Sequence, residues 1–169
     1  MEPILDKARA GQNALERLAN AIPGFKGFRE RELRRDADRL QREHLATRLD
    51  GNKKALNDLA AASTRGGSLD AINDIETARK RLDKVTNRVR YADRGYAGFF
   101  DAVKVDEALL GRIYQFDLQL LERVEAIEAG TAGARGASDV KAALEQVVRE
   151  IDVLDQRLDE REAMLAGVK

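Results

Sequence analysis

The chain of 169 residues has no cysteine, no tryptophan, one histidine and only two prolines. The missing cysteine excludes disulfides, thiolate catalysis and cysteine-ligated metal, and it suits a reducing compartment. No apolar run approaches the roughly 20 residues that span a bilayer, and the first residues lack the pattern of a secretory signal. We therefore expect a soluble, cytoplasmic protein.

Residue patterns for catalysis and cofactor binding are also missing. A di-iron helical bundle needs two Glu-x-x-His pairs, whereas His44 is the single histidine and Gln41 stands at the relevant spacing. The glycine strings RGGS and GTAGARG lack the lysine and the strand-to-helix setting of phosphate-binding loops. The sequence therefore predicts no enzyme, no cofactor, no metal site and no small-molecule substrate.

What the chain does contain is an amphipathic helical pattern. Charged residues make up 36% and hydrophobic residues 43%, and apolar residues recur every three or four positions. This predicts an all-α, up-and-down bundle of about five helices in one domain, residues 1–169. The predicted helices run from Pro3 to Ile22, from near Arg29 to Arg65, from Leu69 to Ala92, from near Asp106 to Ala129, and onward from Ser138. Residues expected on their apolar faces include Ile4 and Leu33.

Local signals refine these helices. Gly51 and its polar neighbours interrupt the long second helix, where we expect a kink, with a true turn as the alternative. Ser68 and Ser138 are the predicted caps of the third and fifth helices. Residues 130–137 are predicted to form a flexible loop. The last helix keeps a nearly regular seven-residue repeat, which resembles a coiled-coil seam.

The net charge of zero conceals a gradient along the chain. Residues 1–100 carry 21 Lys and Arg against 15 Asp and Glu, whereas residues 101–169 carry 9 against 15. Opposite charges can pair inside one bundle, where basic and acidic helices lie side by side, or between copies of the chain. We favour pairing inside the bundle.

The eight aromatic residues fall into three short segments: IPGFKGF, RYADRGYAGFF, and Tyr114 with Phe116. In an up-and-down bundle, the two glycine-containing segments are turns at the same end. Their side chains either fold inward as a plug or stay exposed beside basic residues as an interface. The interface hypothesis names Phe25, Lys26, Phe28, Arg29, Arg35, Arg88, Arg90, Tyr91, Tyr96, Phe99 and Phe100.

Two segments resemble an uncharacterised family of small bacterial helical proteins. They are IPGFKGFRERELRRDADRL at 22–40 and ADRGYAGFFDAVKVDEALLGRIYQFDL at 92–118, together about a quarter of the chain. The resemblance implies a bacterial, cytoplasmic protein, and it transfers no catalytic residue.

The leading functional hypothesis is a non-enzymatic helical interaction protein. It would dock a protein partner, or a second copy of itself, through the aromatic end or the C-terminal helix. The alternative is a peripheral membrane or membrane-stress scaffold. Nucleic-acid binding through the basic faces of helices two and three is third, because the acidic C-terminal half opposes contacts with phosphates.

Overall fold

The computed structural model describes residues 2–67, 69–92 and 98–168. All regular structure in those ranges is helical, which confirms the predicted all-α bundle. Its α-helices are α1 (Glu2–Ala21), α2 (Arg34–Arg65), α3 (Asp70–Arg90), α4 (Gly98–Asp101), α5 (Glu107–Ala134) and α6 (Val140–Ala166). Five correspond to the predicted helices, and α4 is a single turn that the sequence pattern did not reveal.

Helix α2 is continuous through Gly51, so the alternative of a true turn at that residue is wrong. At 1.5 Å per residue its 32 residues extend about 48 Å. The helix begins five residues later than predicted, because a 3-10 turn at Arg31–Leu33 precedes it. Leu33 belongs to that turn and is exposed, not buried as expected.

The connection between α5 and α6 is shorter than predicted. Residues 130–134 continue α5, and Thr131 and Ala134 are buried, so packing overrides the low helix propensity of the glycines there. The cap of α6 is Asp139, whose Oδ1 accepts a hydrogen bond from the Ala142 amide at 3.0 Å. Ser138 is therefore not the cap, and Ser68 lies outside the described residues.

Contacts divide the chain into two compact units. Unit 1 contains residues 1–44, 93–121 and 158–169, and unit 2 contains residues 45–92 and 122–157. The divisions fall within α2, α5 and α6, so each of these helices contributes a segment to both units. The prediction of one domain stays a prediction.

Unit 2 has an aliphatic core. Its fully buried large side chains are leucine, isoleucine and valine, as helix faces with a three-four repeat require. They include Leu45, Leu49, Leu56, Ile75, Leu82, Val124, Ile127, Leu144, Val147, Ile151 and Leu154. The α6 members are the predicted seam, so the seam packs within its own chain.

Unit 1 contains a close crossing of α1 and α5. A Cβ added to Gly11 would lie 2.6 Å from the Gly111 Cα, a separation that only a residue without a Cβ allows. The buried part of α1 begins at this crossing, and residues 3–10 before it are all exposed. Ile4, predicted to be buried, is therefore at the surface.

Candidate functional site

Five aromatic rings form a buried cluster in unit 1. Phe28 lies at its centre, with ring centroids 5.5 Å from Phe25, 5.4 Å from Phe99 and 5.9 Å from Tyr114. Phe99 also contacts Phe100 at 5.5 Å. The two aromatic segments therefore come together, as predicted. All four phenylalanines are buried, which agrees with the plug interpretation and leaves none of them as an exposed docking residue.

Arg34 ties this cluster to its surrounding backbone. Its guanidinium donates hydrogen bonds to the carbonyls of Phe28 at 2.9 Å, Phe99 at 3.1 Å and Ala102 at 2.7 Å. The same group lies 5.3 Å from the centroid of the Phe99 ring. Because the side chain is buried, desolvation lowers the pKa of Arg34. Arg34 thus fixes the turn after α1 against α4.

A buried ionic network lies beside the cluster, in the same unit. Arg161 of α6 contacts Asp117 of α5 at 2.7 Å and Asp38 of α2 at 2.8 Å. Asp38 also accepts a hydrogen bond from Arg42 Nε at 2.8 Å. Burial raises the pKa of the Asp117 carboxyl, and the charge of Arg161 offsets only part of that rise. Two arginines and two aspartates therefore balance one another inside the protein.

The helical pattern of the sequence did not predict this network, although the sequence carries a signal for it. Asp117 stands four residues after Ile113 and three before Leu120, within the apolar stripe of α5. Arg161 occupies the same kind of position between Leu158 and Leu165 on α6. A charged residue within an apolar stripe must find a partner of opposite charge when it is buried.

A small cleft lies on the α2 side of the network. We call it the arginine cleft; its volume is about 180 Å³, and its lining residues are Arg35, Asp36, Asp38, Arg39, Arg42 and Phe100. The guanidinium of Arg35 lies 5.3 Å from the Phe100 ring centroid and pairs with Asp101 at 3.0 Å. Phe100 thus forms part of the cleft wall, although most of its surface is buried.

The remaining predicted interface residues are divided between the two units. In unit 1, Lys26 is exposed and Arg29 forms an exposed ion pair with Glu107. In unit 2, Arg88 pairs with Asp155, Arg90 pairs with Asp50, and Tyr91 is exposed. Tyr96 lies outside the described residues.

The basic side chains of α3 contact carboxylates of unit 2. Arg81 pairs with Asp152 of α6, while Lys84 and Arg88 reach Asp155 at 3.2 and 2.8 Å. Burial alone would raise the pKa of Asp155, but hydrogen bonds from Arg88 and Lys84 lower it below its usual range. These basic residues belong to the first 100 residues and their carboxylate partners to the rest of the chain. The pairs therefore agree with the interpretation we favoured, in which the two halves neutralise each other within one chain.

The start of α1 exposes two neighbouring large apolar side chains in unit 1. Residues 3–10 are all exposed, and the side chains include Ile4 at 74% and Leu5 at 57%. The buried face of the same helix continues through Gly11, Ala14 and Leu18. We call residues 3–10 the α1 overhang.

The described residues contain no group of three or more His, Asp or Glu side chains placed to hold a metal ion. None of the helices in this part of the chain is long and apolar enough to cross a membrane. No protein-family profile, curated protein or solved structure matches the chain.

Proposed function

We propose that this chain is a non-enzymatic helical interaction protein of the cytoplasm that docks a partner protein on the α1 overhang. The observation that carries the proposal is the exposure of Ile4 and Leu5 on two helical turns that are exposed throughout. An amphipathic helix stabilises a folded protein by burying its apolar face. In helix-in-groove recognition, one protein presents an exposed apolar helix face and its partner supplies the hydrophobic groove that covers this face.

The proposed docking surface differs from the two that the sequence suggested. The phenylalanines of the aromatic cluster are buried, and the α6 seam is covered by its own chain. Both are almost fully covered, whereas Ile4 and Leu5 of the overhang are more than half exposed. A second copy of the chain suits this surface as a partner, because Asp6 and Lys7 of one overhang are complementary in charge to Lys7 and Asp6 of an antiparallel second one.

The test is a double variant, Ile4→Asp with Leu5→Asp, and its matched control is Val103→Asp. Val103 is another aliphatic residue of unit 1 and is 83% exposed, so the control adds a negative charge at an exposed apolar residue outside the overhang sequence. Self-association is measured by light scattering across a concentration series. Partner binding is measured by comparing the proteins that each immobilised variant retains.

We expect the double variant to lose the assembly or the retained partner, while the control keeps it. Unfolding curves of both variants should match the wild type, because all three side chains are exposed in the folded protein. Equal binding by wild type and double variant would exclude the overhang as the docking surface.

A peripheral membrane role is the second candidate, and the same overhang favours it. Lys7 and Arg9 are exposed close to Ile4 and Leu5, and interfacial helices combine cationic and apolar faces in this way. Cosedimentation with anionic phosphatidylglycerol vesicles at low salt tests this role. Loss of vesicle binding in the double variant, without any change in protein assembly, would favour the membrane over a protein partner.

Nucleic-acid binding has weaker support than either role. Arg81, Lys84 and Arg88, which made α3 a candidate, already contact carboxylates of unit 2. Phosphate contacts would have to displace those carboxylates, and affinity for nucleic acid depends on such contacts.

A further inference from the structure

We propose that the arginine cleft of unit 1 binds a phosphate group, presented by a small phosphate monoester. Arg35, Arg39 and Arg42 follow one another at spacings of four and three residues, so they lie on one face of α2. Guanidinium groups bind phosphate oxygens through paired hydrogen bonds, which makes arginine the preferred residue for such sites.

The two outer arginines already contact neighbouring side chains. Arg35 pairs with Asp101 at 3.0 Å and lies 5.3 Å from the centroid of the Phe100 ring. Arg42 is largely buried, and its Nε donates to Asp38. Groups that are already ordered lose little conformational entropy when a ligand arrives, so they favour binding.

Arg39 lies between Arg35 and Arg42 in the sequence of α2 and supplies hydrogen-bond donors for the phosphate group. Its side chain is 50% exposed, and the carboxylate oxygens of Asp36 and Glu43 that pair with it both lie 3.9 Å away. That separation exceeds hydrogen-bond distance, so these pairs are long-range attractions only. A ligand that reaches Arg39 from the cleft gains hydrogen bonds without first breaking short ones at that residue.

The carboxylates around the cleft decide which anion can bind. Asp38 already serves both Arg42 and Arg161, and Asp36 is largely exposed and only loosely paired. Each arginine has a carboxylate within 4 Å, so a ligand must compete with these carboxylates for guanidinium donors and gains most when it offers several acceptor oxygens. A phosphate monoester carries a charge of about −1.5 to −2 and three acceptor oxygens, so it can bridge two guanidiniums.

The size of the cleft limits the ligand. Pockets for drug-sized molecules and cofactors are about 300–1,000 Å³, whereas this cleft is about 180 Å³. It therefore accepts a phosphate group and a few further atoms, and the remainder of a larger molecule would extend into solvent. The ring of Phe100 offers an apolar contact for those further atoms.

The experiment is an NMR titration that follows the arginine Nε–H groups and the α2 amides. Inorganic phosphate is added at neutral pH, and acetate at matched ionic strength is the reference. We expect saturable shifts centred on Arg39 with phosphate, and only small, non-saturating shifts with acetate. O-phosphoserine is then titrated: tighter binding than inorganic phosphate identifies a substituted monoester as the source, and equal binding identifies free phosphate.

Variants locate the site. Arg39→Gln should weaken phosphate binding at least tenfold, and Arg39→Lys should weaken it less, because the charge remains while the planar fork is lost. The matched control is Arg135→Gln, which removes the same charge from an exposed residue between α5 and α6 and should change binding less than twofold. Thermal melts establish that each variant is folded.

Three results would overturn the inference: shifts that do not saturate with phosphate, equal saturation with acetate, or unchanged phosphate binding in folded Arg39→Gln. None of these results bears on the α1 overhang, whose Ile4 and Leu5 are unchanged in every variant. The phosphate site and the proposed docking function therefore fail or succeed separately.

Discussion

The two units of this chain solve the problem of a helical core in different ways. Unit 2 buries leucine, isoleucine and valine and keeps its ion pairs at or near the surface, as between Arg81 and Asp152. Unit 1 buries an aromatic cluster, an arginine bound to three backbone carbonyls, and a network of four charged side chains. Buried ion pairs are weak contributors to stability, because desolvation opposes their attraction.

The comparison indicates where function should be sought. Segments of α2, α5 and α6 form an aliphatic core in unit 2, so these helices do not need buried charges in order to pack. Buried charges in unit 1 therefore call for another reason, and the arginine cleft shares Asp38 and Arg42 with the network. The two units should then differ in energy as they do in composition.

The largest loss in the free energy of unfolding is expected when the ionic network loses its central cation, Arg161. Arg161→Met leaves Asp117 fully buried without its cationic partner, and removal of one member of a buried ion pair costs about 3–5 kcal/mol. The matched change in unit 2 is Arg81→Met, which breaks a half-exposed pair worth at most about 1 kcal/mol. Urea unfolding followed by circular dichroism measures both. Similar free energies for the two variants would remove the energetic distinction between the units.

The next effect concerns the glycine crossing in unit 1. Gly11→Ala places a Cβ 2.6 Å from the Gly111 backbone, and we expect a loss of about 1–3 kcal/mol as α1 and α5 separate. The control is Gly111→Ala, whose Cβ would meet the Gly11 Cα at 3.5 Å, an ordinary contact. If both substitutions lowered the free energy of unfolding equally, the close approach would not be the cause.

The sequence predicted the positions of the helices better than the contacts that their residues make with neighbouring helices. The three-four repeat located all five long helices, because such periodicity is a property of each helix alone. It could not show that Ile4 is exposed, since that depends on which neighbour covers the stripe. The ionic network was missed for the same reason: Asp117 and Arg161 are 44 residues apart in sequence, and a single charged residue in a stripe does not name its partner.

A smaller change in the free energy of unfolding, of opposite sign, is expected for Gly51→Ala in unit 2. The residue lies within α2, and a Cβ added there meets no atom of the described residues within 4 Å. Alanine is favoured over glycine in a helix interior by about 1 kcal/mol, so Gly51→Ala should raise the free energy of unfolding by up to that amount. The same substitution thus destabilises at Gly11 and stabilises at Gly51. A loss of stability at Gly51 would show that the helix needs a glycine there.

The smallest effect on stability concerns its dependence on pH, which should differ between the two units. In unit 2 the pKa of Asp155 is lowered, so its stabilising contribution is present above the unfolded aspartate value of about 3.9 and is lost as pH falls through the folded value. Asp155→Asn should therefore cost up to about 1 kcal/mol at pH 7 and nothing in strong acid. The exposed residue Asp58 provides the control, because Asp58→Asn makes the same chemical change without removing the contacts to Lys84 and Arg88.

Asp117 in unit 1 should behave in the opposite sense. Because its folded pKa is raised, the ionised form is penalised above that value, and acid relieves the penalty as pH falls through it. Carbon-13 NMR of the carboxyl groups reports both residues in one titration, with Asp117 titrating above about 3.9 and Asp155 below it. If Asp117 titrated below Asp155, Arg161 would outweigh desolvation. The network of unit 1 would then stabilise the protein by charge pairing, as the surface pairs of unit 2 do.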